Sequence, residues 1–263
     1  MDHPAPGRSL PVLVPSWSLP SGVRALCTLR AGGVSRAPYD ELNLGLHVQD
    51  DPAHVHINRQ RLAQACGARP VFLEQVHGTA CVHLDAQTPD AIQADACWTA
   101  EPGVVCTIMV ADCLPVLMCD TRGRAVAAAH AGWRGLGAGV LEATLQTLCE
   151  GVGCSAAEVQ VWLGPCIGPT AFEVGDDVLR AWGVPRGTAS PWFKPAQLPG
   201  KWLADLAGAA RQRLQQAGVV RIDGNDSTPD WCTVTQSARF FSHRRDGRSG
   251  RFAACIWRQT DRD

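Results

Sequence analysis

Between Val104 and His130 the chain passes through three short, almost wholly apolar runs separated by brief polar breaks. Val104–Val110 (VVCTIMV) predicts a buried strand, and Leu114–Cys119 (LPVLMC) predicts the next, with Pro115 placing its start beside a loop. Arg124–His130 (RAVAAAH) predicts a third, behind the turn Asp120-Thr121-Arg122-Gly123. The period then changes. Leu136, Val140, Leu141, Thr144, Leu145 and Leu148 recur at helical spacing, and Gly151 follows as a stop. Val159–Leu163 predicts another strand, and Asp176 is expected to cap a short helix running to Trp182. A longer helix is expected from Lys201 to Ala217, because Trp202, Leu206, Ala210 and Leu214 repeat every four residues and Gly218 can end it. Phe240–Phe241 and Phe252–Trp257 predict two strands joined by a basic turn, and Pro185–Pro199 a surface excursion. Strands and helices mix without strict βαβ alternation. That favours an α+β layered architecture with mixed sheets over a dinucleotide-binding fold.

Length and composition narrow the class. A chain of 263 residues allows one or two domains. We expect an N-terminal extension over residues 1–20 and a single domain over 21–263. The chain is 46% hydrophobic and 19% charged, which is globular rather than disordered. A formal net charge of −1 excludes a general polyanion binder, so no nucleic-acid partner is expected. The start, MDHPAPGRSLPVLVPSW, has no cationic lead, and Pro11 and Pro15 break its apolar run. The longest apolar stretch, Val104 to Ala111, is far short of the ~20 residues of a membrane helix. The expectation is therefore a cytoplasmic protein without a membrane partner.

Twelve cysteines are many for such a chain. No CxxC occurs, and Cys106, Cys119 and Cys255 sit in apolar runs where a thiol serves as a small buried hydrophobe. Three ligand-type residues stand apart. His77 ends an apolar run before Gly78, Cys113 lies in the break between two strands, and His130 closes a strand of Ala and Val. Taken singly, His77 and Cys113 are as well explained by local hydrogen bonding or packing, whereas a lone imidazole closing a strand of Ala and Val has little reason to exist for packing. Together they lie at strand ends, which can converge on one cleft. Two imidazoles and a thiolate suit zinc, and three protein ligands leave a fourth position open, the catalytic arrangement. Gly132, Gly135, Gly137 and Gly139 lead from His130 into a helix and can present backbone N–H groups to an anion, or simply permit tight packing. The stretch Ser242–Arg251 is either a solvated turn or a phosphate or carboxylate site, since arginine's planar fork matches those anions.

Ordered motifs carry a resemblance over nearly the whole chain after the first ~20 residues. They are RAGGVS at 30–35, YDELNLG at 39–45, Asn58-Arg59, EQVHG at 74–78 and ADC at 111–113. HAGWRG at 130–135, LGPCIGP at 163–169, FEVG at 172–175 and FFSHRRDGRSGR at 240–251 follow. The chain resembles the laccase-domain family, also named for YfiH and for a peptidoglycan editing factor. The resemblance implies a single α/β/β/α sandwich domain with His77, Cys113 and His130 as zinc ligands. It implies purine-nucleoside chemistry: phosphorolysis of adenosine, inosine, guanosine or methylthioadenosine, and deamination of adenosine. Purine nucleosides and phosphate are then the partners, with monomer and homodimer both open. Arg30, Arg134 and Arg245 are the expected phosphate cations, Asn43 and Arg59 the ribose or base contacts, and Glu74 and Glu173 the alternative proton shuttles. One departure is Ala209-Ala210, where relatives often carry Asn. Three rivals stand beside this reading. A copper-dependent polyphenol oxidase would use the triad with Met109 or Met118 as axial ligand, although eight histidines are few for several coppers. A cysteine hydrolase in peptidoglycan editing would use Cys113 with His130 or His77 as base. A structural zinc protein would close the fourth position.

Overall fold

The computed structural model describes residues 10–186, 188 and 190–260. Residues 1–9 of the expected extension and 261–263 of the expected domain lie outside the described residues. The elements run β1 (Val12–Leu13), β2 (Val23–Thr28), α1 (Pro52–Cys66), β3 (Arg69–Phe72), β4 (Cys81–His83), β5 (Ala96–Thr99) and β6 (Val104–Val110). Next come β7 (Leu114–Asp120), β8 (Val126–Ala131), α2 (Trp133–Ala138), α3 (Val140–Val152), β9 (Val159–Leu163), β10 (Glu173–Gly175) and α4 (Asp176–Ala181). The chain finishes with β11 (Phe193–Pro195), β12 (Lys201–Ala204), α5 (Leu206–Gln216), β13 (Arg221–Gly224), α6 (His243–Asp246) and β14 (Phe252–Arg258).

Two mixed sheets stack face to face. One has the order β1-β2-β14-β6-β3 and the other β13-β9-β7-β8-β5-β4. The two-residue period of each strand sorts its side chains into layers. Val104, Cys106, Ile108 and Val110 of β6, with Phe252, Ala254 and Ile256 of β14, meet Leu117, Val126, Ala128 and Trp162 across the gap between the sheets. The alternate residues of β6 and β14, including Val105, Met109, Cys255 and Trp257, face outward onto Leu62 and Cys66 of α1. On the far side, Leu114, Val116 and Met118 of β7 and Ala127, Ala129 and Ala131 of β8 pack against Leu141, Leu145 and Leu148 of α3 and Leu206, Ala210 and Leu214 of α5. The result is four layers, α/β/β/α, from strands apolar on both faces. Ala209 and Ala210 both lie in the helix-side core, so their small size is used for packing. Among the described residues, no helix is long and apolar enough to cross a membrane.

Five local expectations are corrected. The helical pattern from Leu136 is cut by Gly139, whose φ of 98° ends α2 and starts α3. Asp176 does not cap α4: Gly175 takes the N-cap position, while the Asp176 carboxylate accepts from the Trp202 indole at 2.8 Å. Lys201–Ala204 is a strand held between β10 and β11, because Asp205 caps α5 by accepting from the Gly208 amide at 2.8 Å. Trp202 matched the four-residue repeat only because a strand residue and the next helix fell in phase. The same small sheet takes β11 from within the stretch expected to be a surface excursion. The basic stretch after Phe241 is no hairpin. Ser242 caps a single turn, α6, by accepting from the Arg245 amide at 3.2 Å, and Phe240 and Phe241 are core side chains outside any strand.

Candidate metal centre

The topology brings three strand ends together. In β8 the inward parity of Val126 and Ala128 continues to His130, which emerges at the end of the gap between the sheets. Cys113 sits in the tight connection from β6 to β7, which are neither paired with each other nor in the same sheet. His77 lies in the segment between β3 and β4. One nitrogen of each histidine and the Cys113 sulfur all lie within 4.8 Å of one another. Cys113 Sγ is 3.8 Å from His77 Nε2, and the two imidazole centroids are 4.8 Å apart at 70°.

This closeness requires unusual backbone. His77 has φ 61° and Asp112, just before Cys113, has φ 93°, both left-handed conformations that cost a non-glycine residue energy. A carboxylate holds each. Asp95, fully buried, accepts from three successive amides, Val76 at 3.1 Å, His77 at 2.9 Å and Gly78 at 2.6 Å. Its Oδ1 also receives the His130 Nδ1–H at 2.8 Å. That bond fixes the ring and leaves Nε2 facing the other two ligands, where its proton must leave before the nitrogen can bind a metal. Asp112 accepts from the Thr233 hydroxyl and the Arg244 amide, each at 2.6 Å, while its carbonyl accepts from the Ile167 amide at 2.9 Å. Gly132 completes the cradle: a Cβ there would stand 2.8 Å from His77 Cδ2 and 3.0 Å from Cys113 Sγ. Any side chain at this position pushes into the ligands.

Electrostatics follow from the same contacts. Burial works to raise the pKa of Asp95, but the His130 hydrogen bond and the amides outweigh it, so the carboxyl stays below its ordinary range. Burial likewise acts to raise Cys113, yet the charge and hydrogen bond of His130, helped by His77, bring the thiol down to about 6. For His130, burial acts downward, and Cys113 and Asp95 overcome it, lifting the ring to about 9. Without a metal, the pair is therefore thiolate and imidazolium.

The residues fit a zinc ion. A tetrahedral ion with bonds of about 2.0–2.3 Å needs donors about 3.3–3.8 Å apart. The Cys113–His77 separation of 3.8 Å meets that and all three donors lie within 4.8 Å, close enough for an ion to draw them in; two nitrogens and one sulfur are a suitable set, and His77 is exposed to solvent. The methionines of the copper rival pack elsewhere: Met118 in the helix-side core and Met109 in the core beneath α1.

The other residues expected at the site divide. Arg30 donates to Asp40 O, Ser237 O and the Asp40 carboxylate. Asn43 is fully buried, and its Oδ1 accepts from the amides of Gly45 and Arg251 while its Nδ2 donates to Asp50. Arg245 donates to the carbonyls of Thr233, Val234 and Phe240 and pairs with Asp246 at 2.7 Å. The donors of these three are thus committed to the protein's own loops and do not face the triad as free groups. Arg134 is exposed, stacks on Trp133 at 4.1 Å, and makes no hydrogen bond or ion pair among the described residues. Arg59 stacks on Phe72 at 3.8 Å and lines a cavity with Glu74. Glu173 belongs to β10, where its carbonyl accepts from Arg244 at 3.0 Å.

Sequence reasoning missed Asp95, Gly132 and His47. A lone acid in Gln93-Ala94-Asp95-Ala96-Cys97, entering a buried strand, was the available signal for the first. Gly132 was grouped with three other glycines. His47 had no such signal. It lies against Gly45 beside Arg251, and its pKa is lowered by burial and by the charges of Arg251, Arg59 and His130.

Comparison with known proteins agrees over nearly the full length. A family model described as multi-copper polyphenol oxidoreductase laccase matches residues 24–259. The chain is 51% identical to a purine nucleoside phosphorylase of Pseudomonas aeruginosa over 247 residues, 94% of this chain and 98% of the relative. It is 48% identical to the purine nucleoside phosphorylase YfiH of Escherichia coli over 248 residues, covering 94% and 98%. A crystal structure of a Neisseria meningitidis protein superposes with a TM-score of 0.87 at 42% identity, covering 95% of this chain and 99% of that one. On this breadth of match, the chain belongs to the laccase-like YfiH family.

Proposed function

We propose that the chain is a zinc-dependent purine nucleoside phosphorylase whose single site also deaminates adenosine and phosphorolyses methylthioadenosine. The observation that carries this reading is the convergence of His77, Cys113 and His130 on one point with an open side. The names of relatives at 51% and 48% identity supply the substrate class. A zinc ion bound there supplies a Lewis acid with one position left for a small ligand.

The chain's own residues do the rest. In phosphorolysis, a phosphate oxygen attacks C1′ of the ribose as the C1′–N9 bond breaks. The purine leaves with the bonding electrons and takes up a proton. Arg134 and Arg251 are the cations we assign to phosphate; Arg251 Nη1 is engaged by Ser249 O and Gly250 O, which leaves its Nε and Nη2 for the ligand. Burial lowers the pKa of Arg251, against the opposing charges of Cys113 and Asp112. Glu74, exposed and three positions before His77, is the carboxylate placed to exchange protons with the purine. Asp95 keeps His130 oriented, and the left-handed His77 backbone aims the second imidazole.

The test is incubation of purified, metal-quantified protein with adenosine and phosphate. Adenine plus ribose 1-phosphate, together with inosine, is the expected product set. Neither product appearing at a zinc occupancy near one would refute the proposal. The ionised Cys113–His130 pair with Asp95 behind it also favours a second reading, a cysteine hydrolase acting on cell-wall precursors. Turnover of such precursors that survives removal of zinc supports that reading; loss on metal removal opposes it.

A further inference from the structure

A cavity of about 1060 Å³ lies between α1, β3 and the segment leading to His77, large enough for a nucleoside-sized ligand. Phe72, Met109 and Ala63 of α1 line it with apolar surface, and Arg59, His47 and Glu74 supply polar groups. Two segments that line the cavity run on to the metal centre, Glu74 three residues before His77 and Met109 four before Cys113, and a clip ties them together. The Gln75 side chain donates to Met109 O at 2.8 Å and accepts from Met109 N at 2.9 Å, tying the Glu74–His77 segment to the end of β6. Cys113 follows β6 by three residues.

Arg59 is held in one orientation. Its Nε donates to Leu44 O at 3.0 Å, Nη1 meets the Asp90 carboxylate at 3.4 Å, and the guanidinium lies 3.8 Å over the Phe72 ring. With Nε on Leu44 O, Nη1 on Asp90 and Nη2 against Met109 Sδ at 4.0 Å, Arg59 has no free two-pronged edge and offers a cavity ligand its plane rather than a fork. A fixed, flat, delocalised cation attracts an aromatic face and makes a poor phosphate clamp. Glu74 is the complement. Its backbone is pinned by the Glu74 N–H to Ile92 O bond at 2.9 Å and by the Ala94 N–H to Glu74 O bond at 3.2 Å. Its carboxylate has no partner among the described residues and borders the cavity. An ionised carboxylate only accepts hydrogen bonds.

We infer that this cavity seats the purine ring, stacked on the Arg59–Phe72 platform, with Glu74 accepting from the N1–H of hypoxanthine or the 6-amino group of adenine. This rests on the nucleoside reading above and names residues for it. His47, beside Arg251, then borders the ribose between base and triad. Glu74 is the specificity-determining residue: it favours bases with a donor at N1 or C6 and disfavours those without one. Arg59 is indifferent to those edges, because stacking senses only the ring face.

The experiment compares inosine with purine riboside, whose ring has neither N1–H nor a 6-amino group, using the zinc-loaded enzyme. Wild type should show a KM for inosine about tenfold lower, the effect of one hydrogen bond to a charged group. Glu74→Ala should raise the inosine KM about tenfold more than that of purine riboside, while loss of proton exchange lowers kcat for both. Arg59→Met should raise both about tenfold. Arg59 also braces its own neighbours, whereas exposed Glu74 has no side-chain partner to lose, so its variant decides the matter even if Arg59→Met folds poorly. An inosine KM that Glu74→Ala moves no further than that of purine riboside overturns the inference. If wild type turns over no nucleoside, the phosphorylase reading fails. Calorimetric binding of hypoxanthine against purine then decides the seat by the same pattern: a Glu74-dependent preference supports it, and none overturns it.

Discussion

The metal centre and the basic segment 239–251 were both marked by residue type, and they are built in opposite senses. At the centre, His77, Cys113 and His130 turn their donor atoms toward one another, and the carboxylates of buried Asp95 and half-buried Asp112 hold the backbone. In the basic segment, Arg245 turns its donors back onto the carbonyls of Thr233, Val234 and Phe240. Arg30 does the same with Asp40 O and Ser237 O. The reason is backbone accounting. Between β13 and β14 the chain makes only single helical turns, so many carbonyls lack ladder partners and need donors from side chains. Arginine, with five N–H groups, meets that need. A cluster of arginines in an irregular loop is thus weaker evidence for an anion site than three soft ligands at strand ends are for a metal.

The contrast predicts its largest effect at Cys113. Cys113→Ala should lower both phosphorolysis and deamination by on the order of a thousandfold, or ~4 kcal/mol, if one zinc serves both. Zinc content by mass spectrometry should fall in parallel. Full phosphorolysis by the variant would separate the sulfur from the reaction.

The pH behaviour of the same thiol gives the next test. In metal-stripped protein, a Cys113 pKa of about 6 makes it about 90% thiolate at pH 7, whereas burial holds Cys81, Cys119 and Cys149 up at about 12. The thiolate gains as pH rises through about 6, and its imidazolium partner is lost only as pH rises through about 9. Alkylation at pH 7, read by peptide mapping, should mark Cys113 first, with a rate midpoint near pH 6. A midpoint near 9 would show that His130 does not stabilise the thiolate. Asp95→Asn should follow with a loss of metal affinity of about 10–100-fold, measured by competition with a chelator. The amide keeps one acceptor, loses the charge, and sets its NH₂ either against the amides of Val76 and Gly78 or against the His77 amide and His130 Nδ1.

How much of this could be read from the sequence depended on whether the determinant was local. The layers were legible because β6, β7 and β8 are apolar on both faces and α3 repeats at 3.6 residues. The triad residues were legible as chemistry out of place: an imidazole closing an alanine strand and a thiol in a strand break. The start of α5 was not, since Asp205 acts as a cap only once Gly208 folds back onto it. Asp95 was illegible for a similar reason. Its role exists only when segments 76–78 and 130, remote in sequence, arrive around it. The arginines failed differently: side-chain type states what a group can bind, and only the fold states which carbonyls reach it first.

The smallest effects test the comparison most directly, because they ask two arginines of one expected role to behave differently. Arg245→Met leaves three carbonyls without their donor, which should cost about 2 kcal/mol and lower Tm by roughly 4–8 °C. Phosphate KM should stay within about twofold, because none of those donors was available to phosphate. Arg134→Ala should show the reverse pattern. The side chain is exposed and rests only on Trp133, so stability should move by less than about 0.5 kcal/mol. The group sits two residues beyond Gly132, where a Cβ would meet the ligands, and its donors have no partner among the described residues. If those donors hold phosphate, its KM should rise about fivefold with kcat little changed. Calorimetric melting and phosphate titration on the two variants decide between free and committed donors. A phosphate KM that rises in Arg245→Met and stays flat in Arg134→Ala would reverse the assignment and return the basic segment to the anion site.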